Sequence, residues 1–116
     1  MEREFIILSS FERDWEECGF TDDDLGRLEI SLCQDPEQGV VIPGTGGIRK
    51  LRWGLKQRGK RGGIRIIYID FIVDKEIYFL AAYQKNIKKD LTEEERRNMR
   101  HVAEYLKAEK ERKRRK

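Results

Sequence analysis

Two apolar runs constrain this chain most: GGIRIIYIDF at 62–71 and IYFLAAYQK at 77–85, with VDKE between them. Both are rich in β-branched and aromatic residues, and the first is apolar on both faces except at Arg65. A strand that is apolar on both sides belongs inside a sheet rather than at its rim. The VDKE link is short enough for a tight turn, so the two runs form an antiparallel hairpin. IRKLRWG, just upstream, is a third strand, with Leu51 and Trp53 on one face and Lys50 and Arg52 on the other.

The rest of the chain reads as cover for that sheet. EFIILSS is a short first strand. SSFERDWEECG is a helix with Phe11, Trp15 and Cys18 on one side; Ser9 with Glu12 fits a capping box, and Gly19 can end it. TDDDLGRLEISLCQDP is a second helix, capped by Thr21, striped by Leu25, Leu28 and Leu32, and stopped at Pro36. PEQGVVIPGTGG is turn-rich. LTEEERRNMRHVAEYLKAEKER is the last helix, with a Thr92–Glu95 capping box and a stripe of Met99, Val102, Ala103 and Leu106. The reading is an α+β domain spanning 1–116: an antiparallel sheet, mixed at its N-terminal strand, with two N-terminal helices on one face and a C-terminal helix. A frayed basic tail is expected over 107–116. The second sheet face is left partly open, where basic side chains can line a concave surface.

Charge decides what that surface can bind. Residues 1–39 hold 3 basic and 12 acidic groups, 40–69 hold 8 basic and no acidic ones, and 70–116 hold 14 and 10. A net charge of +3 therefore hides strong segregation. An acid-free basic segment is a footprint for polyphosphates. Lys50, Arg52, Lys56, Lys60, Arg61 and Arg65 can each meet a phosphate oxygen. Arg65 is the sharpest signal, because an unpaired arginine on an apolar face is costly. It needs either a carboxylate, from the N-terminal helices for example, or an anion in a cleft. Lys85 follows Tyr83 on the same parity and lies, like Arg65, at a strand end away from the turn; a lysine among other cations suits proton transfer.

Other chemistries find little support. Cys18 and Cys33 have no partner at metal-ligand spacing, and reduced thiols in a cytoplasmic protein are expected. PGTGG lacks the lysine and following helix of a P-loop. His101, the single histidine, falls off the apolar stripe of the last helix. MEREFIILSS has too short an apolar stretch for a signal peptide, and no segment has the length of a membrane span.

Taken together, VIPGTGGIRKLRW, GKRGGIRIIYID, IYFLAAYQKN and KKDLTEEE resemble the HigB/RelE-type toxins of bacterial toxin–antitoxin systems, in order and spacing, over residue 40 to about 106. The resemblance implies a ribosome-dependent mRNA endonuclease that inhibits translation and needs neither metal nor cofactor. It implies a cognate antitoxin encoded nearby, a helix-turn-helix protein, with the ribosome and mRNA as further partners and no membrane. Its site residues match Lys50, Arg52, Lys60, Arg61, Arg65 and Lys85, with Tyr83 and Asn86 beside them. Arg65, Lys85 and Lys60 would be catalytic; Lys50, Arg52, Lys56, Arg61, Tyr83 and Asn86 would hold substrate. Ile87 stands where relatives commonly carry an acidic residue, and a clear counterpart of the C-terminal tyrosine of some RelE-like nucleases is missing. Two alternatives stay open: a non-catalytic RNA- or ribosome-binding protein, and a toxin directed at DNA gyrase.

Overall fold

In the computed structural model, residues 2–54, 63–85 and 87–115 are described. The central hairpin forms as its apolar runs require: β4 (Ile64–Phe71) and β5 (Glu76–Gln84) pair antiparallel across a turn over 72–75. Lys75 has φ 57°, the one non-glycine residue of the described chain in the left-handed region. β3 (Arg49–Trp53) pairs antiparallel with β4, and a two-residue strand, β2 (Val40–Val41), completes that side. β1 (Glu4–Ile7) lies parallel to β5, giving the order β1-β5-β4-β3-β2. The sheet is mixed at the N-terminal strand, as expected. The sequence reading passed over β2, since two residues carry no periodicity.

Two helices cover one face. α1 (Ser9–Glu17) buries Phe11 and Trp15, and α2 (Asp22–Gln34) buries Leu28 and Leu32. Both pack on Leu51, Ile64, Ile66, Tyr68, Ile77 and Phe79. Phe5, Phe79, Phe11, Trp15 and Phe20 stack in series, with successive ring centroids 4.7 to 5.6 Å apart. Such offset stacks add to simple area burial. Tyr68 is fully buried there; its hydroxyl donates to the Pro36 carbonyl at 2.8 Å and accepts from the Gly39 amide at 3.0 Å.

The other face is not open. α3 (Glu93–Arg114) lies across it, with Met99, Val102 and Ala103 meeting Ile67, Ile69 and Leu80. The stripe read from the sequence is thus seated against the sheet, which leaves only one end of that face for basic side chains. α3 also runs through Arg114, across the stretch where a frayed tail was expected. Lys110 packs over the rings of Phe71 (4.8 Å) and Tyr78 (5.1 Å) and bonds Glu76, while Arg114 meets Asp74 at 2.9 Å. These partners flank the β4–β5 turn, far off in sequence.

Caps behave unequally. Thr21 and Thr92 form capping boxes, with Asp24 and Glu95 respectively. The Ser9–Glu12 box does not form. Leu8 is the N-cap and its amide still bonds the Phe79 carbonyl, so the chain turns from strand to helix in one step. Beyond β1 the edge of β5 is covered by α1 side chains instead of another strand. Ser10 Oγ donates to the Leu80 carbonyl at 2.9 Å, and the Ala82 amide donates to Asp14 at 3.0 Å. A bulge opposite Ile67/Tyr68 turns both Leu80 and Ala81 toward α3 and resets the alternation of β5.

Candidate active site

Register places three of the expected residues in one row. Arg52 of β3 is opposite Arg65 of β4, and Arg65 is opposite Tyr83 of β5. The next row holds Lys50, Ile67 and Ala81 on the same face, toward the N-terminal end of α3. Two arginines directly opposed across a ladder repel each other. Among the described residues, neither Arg52 nor Arg65 has a carboxylate partner. The carboxylate that α1 aims at this end of the sheet, Asp14, is spent on the Ala82 amide. A structural salt bridge to the N-terminal helices, the bland alternative for Arg65, therefore does not form.

Arg65 is half-buried, and its Nη1 lies 3.8 Å from where a Cβ on Gly63 would be. Its guanidinium thus leans back over the bare glycine. Gly63 faces Lys85, whose amide bonds the Gly63 carbonyl at 3.4 Å, and Lys85 itself is exposed. Arg52, Arg65, Tyr83 and Lys85 accordingly share one end of the sheet. Lys50 is close by but not free, being bonded to Asp90 at 3.1 Å. Lys56, Lys60, Arg61 and Asn86 lie outside the described residues.

Three groups outside the expected site residues, Asp90, Lys88 and Glu95, complete this end. Asp90 accepts from its neighbour Leu91 (amide, 2.8 Å), from Lys50 and from Arg96 (3.2 Å). The Leu91 amide and then Lys50 hold its carboxyl below the usual aspartate range, so it is an anion at neutral pH. Lys88 bonds Glu95 and lies 5.5 Å over the Tyr83 ring. Burial would raise the Glu95 carboxyl, but Lys88 and the Thr92 amide outweigh it and hold it low. All three lie in KKDLTEEE, two lysines and an aspartate before the Thr92 cap and glutamates after it.

Tyr83 sits at the junction. Its hydroxyl is buried without a hydrogen-bond partner among the described residues. Burial, with Asp90 next, pushes the phenol above its ordinary value against the pull of Arg65. It therefore stays protonated near neutrality, an unmet donor between cations and a carboxylate. On its other side a cavity of about 320 Å³ is lined by Asp14, Glu17, Lys88 and Glu95. Its carboxylates give it the wrong sign for a phosphate, which the arginine side fits better.

Residues 10–116 match the family model of the RelE toxin of the RelE/RelB toxin–antitoxin system. The chain belongs to the RelE toxin family. Among solved structures it is similar to a double arginine-to-alanine mutant of the E. coli toxin RelE in the free state, at 11% identity and a TM-score of 0.53, with 77% of this chain and 90% of that one covered. That likeness is one of fold: a mixed sheet with helices on both faces. Membership makes this RelE-family chain a toxin–antitoxin toxin with an antitoxin as its partner.

Proposed function

We propose that this toxin, like the HigB/RelE-type toxins it resembles, is a ribosome-dependent mRNA endonuclease of the cytoplasm, and that its site is the end of the sheet carrying Arg52, Arg65, Tyr83 and Lys85. The observation that carries the reading is the opposed arginine pair with no carboxylate between them. An anion bridging the pair relieves the repulsion, and a phosphodiester fits two guanidinium forks. Cleavage follows from attack of the 2′-hydroxyl on the adjacent phosphorus. The 5′-oxygen leaves, giving a 2′,3′-cyclic phosphate and a 5′-hydroxyl. Negative charge builds on the non-bridging oxygens, and Arg65 stabilises it. Lys85 or Lys60 moves the proton; Lys50, Arg52, Lys56 and Arg61 hold the backbone; Tyr83 and Asn86 orient the nucleotide. With Asp90 engaged by two cations and Tyr83 kept neutral, the described part of the site offers no strong base. Such a site suits a reaction in which the ribosome supplies the orientation. The antitoxin in this reading is a helix-turn-helix protein encoded nearby, and it silences the toxin by covering this end.

In a translating extract, Arg65→Ala is expected to fold normally and to lose cleavage by ~100-fold or more, read by primer extension on the message. Undiminished cleavage removes Arg65 from the chemistry. Intact message with blocked supercoiling in a gyrase assay, or bound but unbroken RNA, replaces the nuclease with one of its two rivals.

A further inference from the structure

A second basic cleft lies on the far side of Asp90, and nothing above assigns it a role. It has a volume of about 280 Å³ and is lined by Pro43 and Gly44 of the β2–β3 connection and by Glu93, Arg96, Arg97 and Arg100 of α3. Spacings of three and four put the arginines on one helix face. The wall opposite is firm. Thr45 is buried, donating to the Ile42 carbonyl at 2.7 Å and accepting from the Ile48 amide at 3.2 Å. Lys107 of α3 bonds the Gly46 carbonyl and so ties that loop to the helix. Gly44, at φ 77°, has nothing within 4 Å of where a Cβ would stand, so its backbone faces open space.

Positive charge in the cleft is under-compensated. Arg100 has Glu104 only at 4.0 Å, and Arg97 has no ion-pair partner among the described residues. Arg96 spends Nη2 on Asp90, but its Nε is buried with no acceptor among the described residues. Glu93 is the sole carboxylate among the described lining residues. Through Arg96, Asp90 and Lys50 the cleft is continuous with the arginine row.

We propose that this cleft is a second phosphate subsite, in which Arg97 and Arg100, with Arg96 behind them, hold a backbone phosphate of the same single-stranded RNA whose scissile linkage lies at Arg65. The assignment rests on the RNA reading of the neighbouring row. Asp90 then acts as a divider: it neutralises Lys50 and Arg96 between the two subsites, so phosphates settle on either side of it and not over it.

The test is fluorescence anisotropy with a short 2′-O-methylated RNA, which lacks the attacking hydroxyl, titrated at several salt concentrations. The proteins are wild type, Arg97→Gln/Arg100→Gln, and a charge-matched control at the C-terminal end of the same helix and its cap, Lys113→Gln/Arg115→Gln, with circular dichroism confirming the fold of each. The cleft variant is expected to bind roughly tenfold more weakly and to lower the slope of log K against log salt by about 0.7, the loss of one single-strand phosphate contact, while the control stays near wild type. Wild-type affinity and slope in the cleft variant overturn the subsite and leave the RNA reading standing, as does an equal loss in the control. Failure of wild type to bind the RNA at any salt overturns both. A loss seen only on ribosomes free of message overturns the subsite by giving its phosphate to ribosomal RNA.

Discussion

Single residues divide here into those that build the sheet and those it exposes. Tyr68 is of the first kind: fully buried, it satisfies the Pro36 carbonyl and the Gly39 amide at once. Tyr68→Phe leaves both buried groups unmet and is expected to destabilise the fold by about 1–3 kcal/mol, measured by urea denaturation. Gly39→Ala meets the same ring from the other side, since its Cβ would lie 3.0 Å from Tyr68 atoms. Arg65 is of the second kind. Its oddness was legible in the sequence because one charge interrupted an otherwise apolar strand face. Asp90 and Arg96 were not legible, because their meaning depends on a loop and a helix end closing over Lys50, 40 residues earlier.

At the scale of elements, hairpin and helices were readable wherever a local rule was strong. VDKE forced the β4–β5 turn, and Thr21 and Thr92 announced their helices. Ser9 misled because the same residue types serve a sheet edge as readily as a cap. The basic end of α3 misled for a related reason: it reads as solvated until the β4–β5 turn brings Asp74 and Glu76 to it. Burial works against the Lys110 ammonium, but the bond to Glu76 outweighs that and keeps its pKa above the ordinary lysine value. Lys110→Ala is expected to loosen the last turns of α3 by about 1 kcal/mol, seen as faster amide exchange there with β4 and β5 unchanged. Equal protection in the variant means those turns are held by the helix alone.

For the whole molecule, acid is the informative stress. The Thr21 amide, against the effect of burial, holds the Asp24 carboxyl low, and Asp90 and Glu95 are held low as described. Carboxylates depressed in the folded state contribute stability that is present above their unfolded values, near 4, and lost as pH falls through the folded ones. Asp14 and Glu29 work the other way. Burial raises both, so they weaken the fold at neutral pH and cease to do so as they protonate. Three groups against two predict a thermal midpoint that is level from pH 8 to about 5 and drops below about 4. Asp24→Asn should lower the plateau and flatten the drop; an unchanged acid limb would remove Asp24 from the balance.

The parallel partnership of β1 with β5 carries a further consequence, one of timing. Glu4 sits beside Glu76, and Phe5 beside Ile77. The aromatic stack cannot close, nor the arginine row gain its tyrosine, until β5 exists to receive both neighbours. Pairings so distant along the chain are entropically late and slow. The aromatic stack is therefore expected to close late, after the local β3–β4–β5 pairings that assemble the arginine row.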